Sequence, residues 1–298
     1  MQPFDENMEK LQLEIQNFNK SVSIEEFLNK QLLKFKSLFE EAIILGGAKK
    51  KSSIIRSSKL INLIHDAVKF GFYQFGVKPE NIFPPLGETK PELKIAGFLK
   101  QKNQDICIIP SNIEKAPSKI DYGPLSYKGL TDPYGFEYST NTLIVNVRSQ
   151  MSSLAKNADT LFERTFAEAL NLHLRYPEIV LGEVYLIPVN EYDDNYVKKH
   201  EVAFRYRKTN IEQYISFFNA INNRNISGEH FFYERCALLI VDFNLPQPYL
   251  YQNSEELKNA GLISRDFNIE YSSLSFRTFF SDILKTYDKR YDIKNIID

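Results

Sequence analysis

Apolar residues recur at three- and four-residue spacing early in the chain, in Phe27, Leu28, Leu32, Phe35, Leu38, Phe39 and Ile43, and a second amphipathic run covers residues 60–75. That period predicts helix over the first 75 residues. Between the runs, Gly46-Gly47 is a breaker followed by the basic cluster Lys49, Lys50 and Lys51, continued by Arg56 and Lys59. Pro79, Pro84 and Pro85 close the helical section. From residue 93 the period changes: residues 94–99 and 105–110, joined by the polar Lys102-Asn103-Gln104, predict a β-hairpin. A loop rich in Pro, Gly and Tyr spans 116–138. Next come a strand at 142–149, a helix from about 159 to 173 and a strand at 179–188. After a charged loop, the pattern predicts a helix at 210–222, a buried strand at 237–243 and a last helix from about 276 to 287. This order predicts an α/β fold: a mixed β-sheet flanked by helices, preceded by an N-terminal helical region over residues 1–80, with the sheet and a C-terminal extension over 81–298.

Composition narrows the class. Hydrophobic residues at 43% and charged residues at 25% exclude a disordered chain. Cys107 and Cys236 sit inside apolar runs, as small buried thiols do, so a reducing compartment and a cytoplasmic protein are expected. No apolar stretch is long enough to span a bilayer, and residues 1–19 are polar and amphipathic, unlike a signal peptide. A net charge of −1 gives no global nucleic-acid signature, although an enzyme that grips DNA in a cleft can keep its cations local.

Several chemistries are excluded by spacing. The segment around Gly46 lacks the G-x-x-x-x-G-K-[ST] pattern of a phosphate loop and follows a helix instead of a strand. His65, His173, His200 and His230 are scattered with no H-E-x-x-H or C-x-x-C, which argues against zinc, and His173 falls on the apolar side of its helix as a core residue would. No G-x-S-x-G elbow is present.

What remains is carboxylate chemistry. Asp105 heads the apolar run Ile106-Cys107-Ile108, where an acid requires a partner. On the next strand, alternation puts Asn146 and Arg148 on one face and Leu143, Val145 and Val147 on the other. Over residues 94–188 the order of a hairpin with an aspartate on its second strand, a strand, a helix and a strand resembles the PD-(D/E)xK nuclease core of type II restriction endonucleases. Two positions depart from the pattern: Gln104 stands where the family has proline, and Asn146-Val147-Arg148 stands where it has E-x-K. A variant of the family takes its glutamate from the following helix, with a lysine upstream. Here Glu168 follows Lys156 by twelve residues, and Glu163 lies at the opposite border of the same apolar face.

The resemblance implies that Asp105 and Glu168 hold Mg²⁺, that Lys156 or Arg148 supplies positive charge, and that Glu163 is the alternative carboxylate. It implies a sequence-specific endonuclease for double-stranded DNA, a homodimer matching a palindromic site, and a cognate DNA methyltransferase as companion. Lys49, Lys50 and Lys51 are candidates for phosphate contact, as are Lys198, Lys199, Arg205, Arg207 and Lys208. Arg148, Ser149 and Gln150 are candidates for base edges, although Gln150 could equally cap the loop at Ser152 and Ser153. A catalytically inactive DNA-binding protein of the same fold and a repair or structure-specific nuclease are the alternatives.

Overall fold

Ser23 opens the first helix, α1 (Ile24–Arg56), by accepting the Glu26 amide on its hydroxyl. The structure, a computed structural model, describes residues 22–297, so the reading of residues 1–21 as helical and amphipathic lies outside the described residues. The predicted break at Gly46-Gly47 is a kink within α1: Gly47 takes a left-handed φ of 54° and a second helical rod continues beyond it. A side chain at Gly47 would meet the His200 ring and the Val197 carbonyl at 3.0 Å, so both its backbone and its surroundings require glycine. Helix α2 (Lys59–Gln74) packs beside α1, with Phe27 stacked on Phe70 at 4.3 Å.

The central sheet has six strands: β1 (Ile82–Phe83), β4 (Ile106–Ile108), β7 (Leu143–Ser149), β8 (Val180–Pro188), β11 (Arg235–Asp242) and β12 (Tyr249–Leu250), in that spatial order. β4 runs antiparallel to β7, whereas β7, β8 and β11 are mutually parallel. Helix α4 (Leu154–His173) connects β7 to β8. The connection from β8 to β11 contains a two-stranded ribbon, β9 (Asn190–Tyr192) with β10 (Phe204–Lys208), the short α5 (Asp194–Val197) and α6 (Ile211–Ala220). The Pro-, Gly- and Tyr-rich loop holds β5 (Ser118–Lys119), β6 (Thr131–Asp132) and the short α3 (Phe136–Thr140). After β12 come α7 (Ser254–Asn259) and α8 (Phe276–Arg290), the latter packed on β8 and β11.

The hairpin differs from expectation. β2 (Lys94–Ala96) pairs with β3 (Gln101–Asn103), residues predicted as the turn, and the strand after Asp105 belongs to the main sheet instead. The cause is Asn171 on α4. Its carbonyl accepts the Phe98 amide at 2.6 Å and its Oδ1 accepts the Leu99 and Lys100 amides at 2.8 and 3.0 Å, so the chain turns over residues 97–100. A side chain at Gly97 would overlap Asn171, hence glycine at this approach.

The sheet's two faces are chemically unlike. Ile106, Ile108, Val145, Val147, Val184, Leu186 and Leu239 face α1, α2 and α8 in an apolar layer. Cys107, Ile144, Leu181, Tyr185 and Leu238 face α4 and α6. By alternation that second face also carries Asp105, Asn146, Arg148 and Glu183. Where β8 and β11 begin, the buried Glu234 accepts the Leu181 amide at 2.8 Å and pairs with Arg224 and Arg290 at 2.8 and 2.9 Å. His173 stands 3.3 Å from the same carboxylate, fully buried, in the core position its helix face predicts. Both cysteines are buried and free.

Candidate functional site

Three neighbouring strands each place one polar side chain in a single row. Ile106 lies opposite Val145, so continuing that ladder by one residue brings Asp105 beside Asn146, and Asn146 in turn is paired with Glu183 across β7 and β8. Adjacent strands are about 4.8 Å apart, which sets the spacing along the row. Asp105 is anchored where β4 begins, its Oδ2 accepting the Val147 amide at 3.0 Å. Asn146 and Glu183 are completely buried. The Asn146 amide has no hydrogen-bond partner among the described residues, and neither Glu183 oxygen accepts a well-formed hydrogen bond.

Arg148, two residues beyond Asn146 and on the same face, holds Nη1 3.0 Å from Oε1 of Glu183 and donates to Oγ1 of Thr165 on α4 at 3.1 Å. The Thr165 hydroxyl itself donates to the Leu161 carbonyl, so it is oriented to accept from the guanidinium. Glu168, one turn further along α4, is flanked by Lys100 at 3.1 Å and Lys102 at 2.9 Å from the hairpin. Accessibility rises from buried Glu183 to Glu168 at 13% and Lys102 at 27%, with Asp105 half-buried, so the row opens to solvent on the hairpin side.

The electrostatics follow from burial. Burial pushes the Glu183 carboxyl up to about 7; Arg148 opposes this rise, and Asp105 adds to it. Burial alone would lower the Arg148 guanidinium, but Glu183 more than offsets it and holds it raised. Glu168 is likewise opposed by burial, yet Lys102 and Lys100 keep its carboxyl below the usual range. On α2, burial lowers the His65 imidazole against the fields of Asp105, Asp66 and Glu92, and its Nε2 has no partner among the described residues.

The fields of Asp105 and Glu168 both reach Arg148, so these three candidates share one side of the sheet. Lys156 stands apart from Glu168. α4 begins at Leu154 instead of about residue 159, so Lys156 and Glu168 share one straight helix twelve residues apart, about 18 Å along the axis. Both oxygens of Glu168 are taken by lysines, which makes it a charge partner of the hairpin and a poor ligand for a metal. Glu163 is exposed on α4. Ser149 is half-buried at the end of β7. Gln150 is buried and structural: its Oε1 accepts the Tyr214 hydroxyl at 3.1 Å, and its Nε2 donates to the Ser153 carbonyl at 3.3 Å. Lys49 and Lys50 are exposed on the second rod of α1, but Lys51 is buried against Asp194 at 2.7 Å and is not free for a phosphate.

Glu183, Lys102 and Thr165 escape the sequence reading. Glu183 had a signal, being the only charged residue within the apolar strand Val180–Pro188. Lys102 had none, because it lies in a segment whose composition reads as a turn.

No set of three His, Cys, Asp or Glu residues is gathered closely enough for a metal among the described residues. Magnesium requires less, binding through one or two carboxylates and otherwise water. Asp105 and Glu183 present hard oxygen donors, the kind that ion takes in preference to a softer one, on either side of Asn146, whose side-chain amide has no partner among the described residues. No family model, no curated protein and no solved structure matches this chain.

Proposed function

We propose that this protein is a magnesium-dependent endonuclease acting on double-stranded DNA at a short specific sequence, in the manner of a type II restriction enzyme. The observation that carries the reading is the row Asp105, Asn146 and Glu183 on three adjacent strands, with the Arg148 guanidinium beside it. Asp105 and Glu183 would hold magnesium, which when bound polarises a phosphate and acidifies water. Glu183 and Thr165 fix Arg148 beside the row, and a cation preoriented next to a phosphodiester would stabilise the negative charge that develops on it without reorganising. Lys102 and Lys100 neutralise Glu168, so the hairpin side does not repel a polyanion. Glu183 exchanges its proton near neutrality, so activity should rise with pH up to about 7 as the carboxylate forms.

Each chain carries one such row, and cutting both strands of a palindrome takes two, so the reading includes a homodimer on DNA. It also includes a cognate methyltransferase and a cytoplasmic setting, which two buried free thiols suit. No helix among the described residues is long and apolar enough to cross a membrane. A second reading, a DNA-binding protein without catalysis, is favoured by the Arg148–Glu183 pair, which already neutralises one of the two proposed ligands.

Digestion of a long DNA in Mg²⁺ and in EDTA, with the ends mapped, tests the proposal. Discrete Mg²⁺-dependent fragments are expected. Dispersed ends would indicate a repair or structure-specific nuclease, and no cleavage together with duplex binding in Ca²⁺ would indicate the inactive alternative.

A further inference from the structure

The segment after β8 has the composition of a charged loop but folds into the β9–β10 ribbon, with Tyr192 opposite Phe204 and Asn190 opposite Lys208. Three of its acidic residues are engaged internally. Glu191 accepts the Ser153 and Leu154 amides at 2.7 and 3.1 Å where α4 opens. Asp193 caps α5 through the Asn195 amide at 2.8 Å, and Asp194 pairs with Lys51 at 2.7 Å and Arg205 at 2.6 Å. The cations at the end of β10 are not engaged in the same way. Arg207 is exposed and its side chain makes no hydrogen bond or ion pair among the described residues, while the Lys208 side chain reaches only the Ala260 carbonyl at 3.1 Å.

Tyr206 stands between Arg205 and Arg207 with a relative exposure of 102%, the highest of any large hydrophobic side chain among the described residues. A single exposed apolar residue is ordinary. A fully presented aromatic ring on a strand of five residues holding three cations and no acid is instead a surface that phosphates and base edges fit. Where the ribbon meets the first turn of α4, Arg205, Arg207, Lys208 and Gln213 line a cleft of about 100 Å³. From Leu154 at this cleft, α4 runs eleven residues to Thr165 at the acid row. That is about 16 Å, or about five steps of a duplex at 3.4 Å each.

We infer that the β9–β10 ribbon is the element that grips the DNA duplex, with Arg207 and Lys208 on backbone phosphates and Tyr206 against the bases. A two-stranded ribbon is of a size that a major groove about 12 Å wide admits. The inference rests on the reading of the acid row as a nuclease site, and it assigns duplex contact to residues outside that row.

Titration of a mixed-sequence duplex with the full chain in Ca²⁺, at several salt concentrations, separates the two. Arg207→Gln is expected to weaken binding and to lower the salt slope by about one, as the loss of one phosphate contact does. Tyr206→Ala is expected to weaken binding about tenfold with an unchanged slope, because an apolar contact to base edges releases no counterion, and Tyr206→Phe to retain most of the affinity. Both side chains project from the surface, so folding is unaffected. Duplex binding by the unaltered protein with indifference to both Arg207→Gln and Tyr206→Ala would overturn the ribbon assignment alone. Absence of duplex binding by the unaltered protein would overturn it together with the nuclease reading.

Discussion

Asp105 and Glu183 do different work although both are carboxylates on one sheet face. Asp105 accepts a backbone amide through one oxygen, so an asparagine can keep that hydrogen bond while surrendering the negative charge. Asp105→Asn should therefore leave the thermal midpoint nearly unchanged and lower Mg²⁺-dependent cleavage by orders of magnitude, a pair of results read from one preparation. Glu183 is raised to about 7 from an ordinary value of 4.5, so the folded state holds its proton more tightly than the unfolded chain does. Stability from this group is present below about pH 4.5 and is lost as pH rises to about 7. Glu183→Gln has no such proton to lose. The unaltered protein should thus lose up to roughly 3 kcal/mol relative to the variant between pH 4.5 and 7 in denaturant titrations. Equal pH dependence of the two would contradict the buried, proton-holding carboxyl. At this scale the sequence was legible where polarity conflicts with pattern. Asp105 before an apolar run and Arg148 inside one stand out, and Glu183 stands out equally as the one charge on the apolar strand Val180–Pro188. Gln150 stands out as a reader of base edges or a cap of the loop at Ser152 and Ser153, and its amide serves that loop and two tyrosine hydroxyls.

Among the elements, the β2–β3 hairpin shows how a tertiary contact overrides turn chemistry. Lys102-Asn103-Gln104 has turn composition, yet buried Asn171 captures the amides of residues 98–100 and moves the reversal there. No local signal in residues 94–110 encodes a partner seventy residues away. The same contact sets the position of Lys100 and Lys102 against Glu168, so the latch and the charge balance of the site are one arrangement. Asn171→Ala removes acceptors from two amides and should destabilise the protein by about 1–3 kcal/mol in chemical denaturation. It should also lower cleavage, although Asn171 is not in the acid row. Unchanged activity in a destabilised variant would separate the hairpin from the site. The long helices and the parallel strands β7, β8 and β11 are legible because their periods are sustained, whereas the pattern alone puts the start of α4 about five residues too late. The later start leaves Lys156 ahead of the helix, where its spacing to Glu168 resembles the family variant, whereas in the structure both lie on α4.

For the whole molecule, the buried cluster around Glu234 joins regions distant in sequence: Arg224 before β11, Arg290 at the end of α8, His173 at the end of α4 and the Leu181 amide on β8. Burial raises the Glu234 carboxyl, but His173, Arg290 and Arg224 overcome it and hold it at about 2. A depressed carboxyl contributes stability above its unfolded value near 4.5 and loses it as pH falls towards 2. Acid unfolding should therefore steepen across that window, and Glu234→Gln should flatten it while costing about 3 kcal/mol or more at neutral pH, since two arginines are left buried without their anion. The overall α/β class was legible from the order of periods. The cluster was not, because its members are spread over more than a hundred residues with no common motif.

The parallel pairing of β8 with β11 has a consequence for synthesis on the ribosome. The row of Asp105, Asn146 and Glu183 is complete once β8 has emerged, but the strand that covers the far side of β8 begins only at Arg235. For some fifty residues of elongation, β8 is an open sheet edge rich in Val, Leu and Ile, with its hydrogen-bonding groups facing outward. A chain released in that interval carries the chemistry of the site on a surface ready to pair with any other strand, so nascent fragments ending between residues 190 and 234 should collect in aggregates.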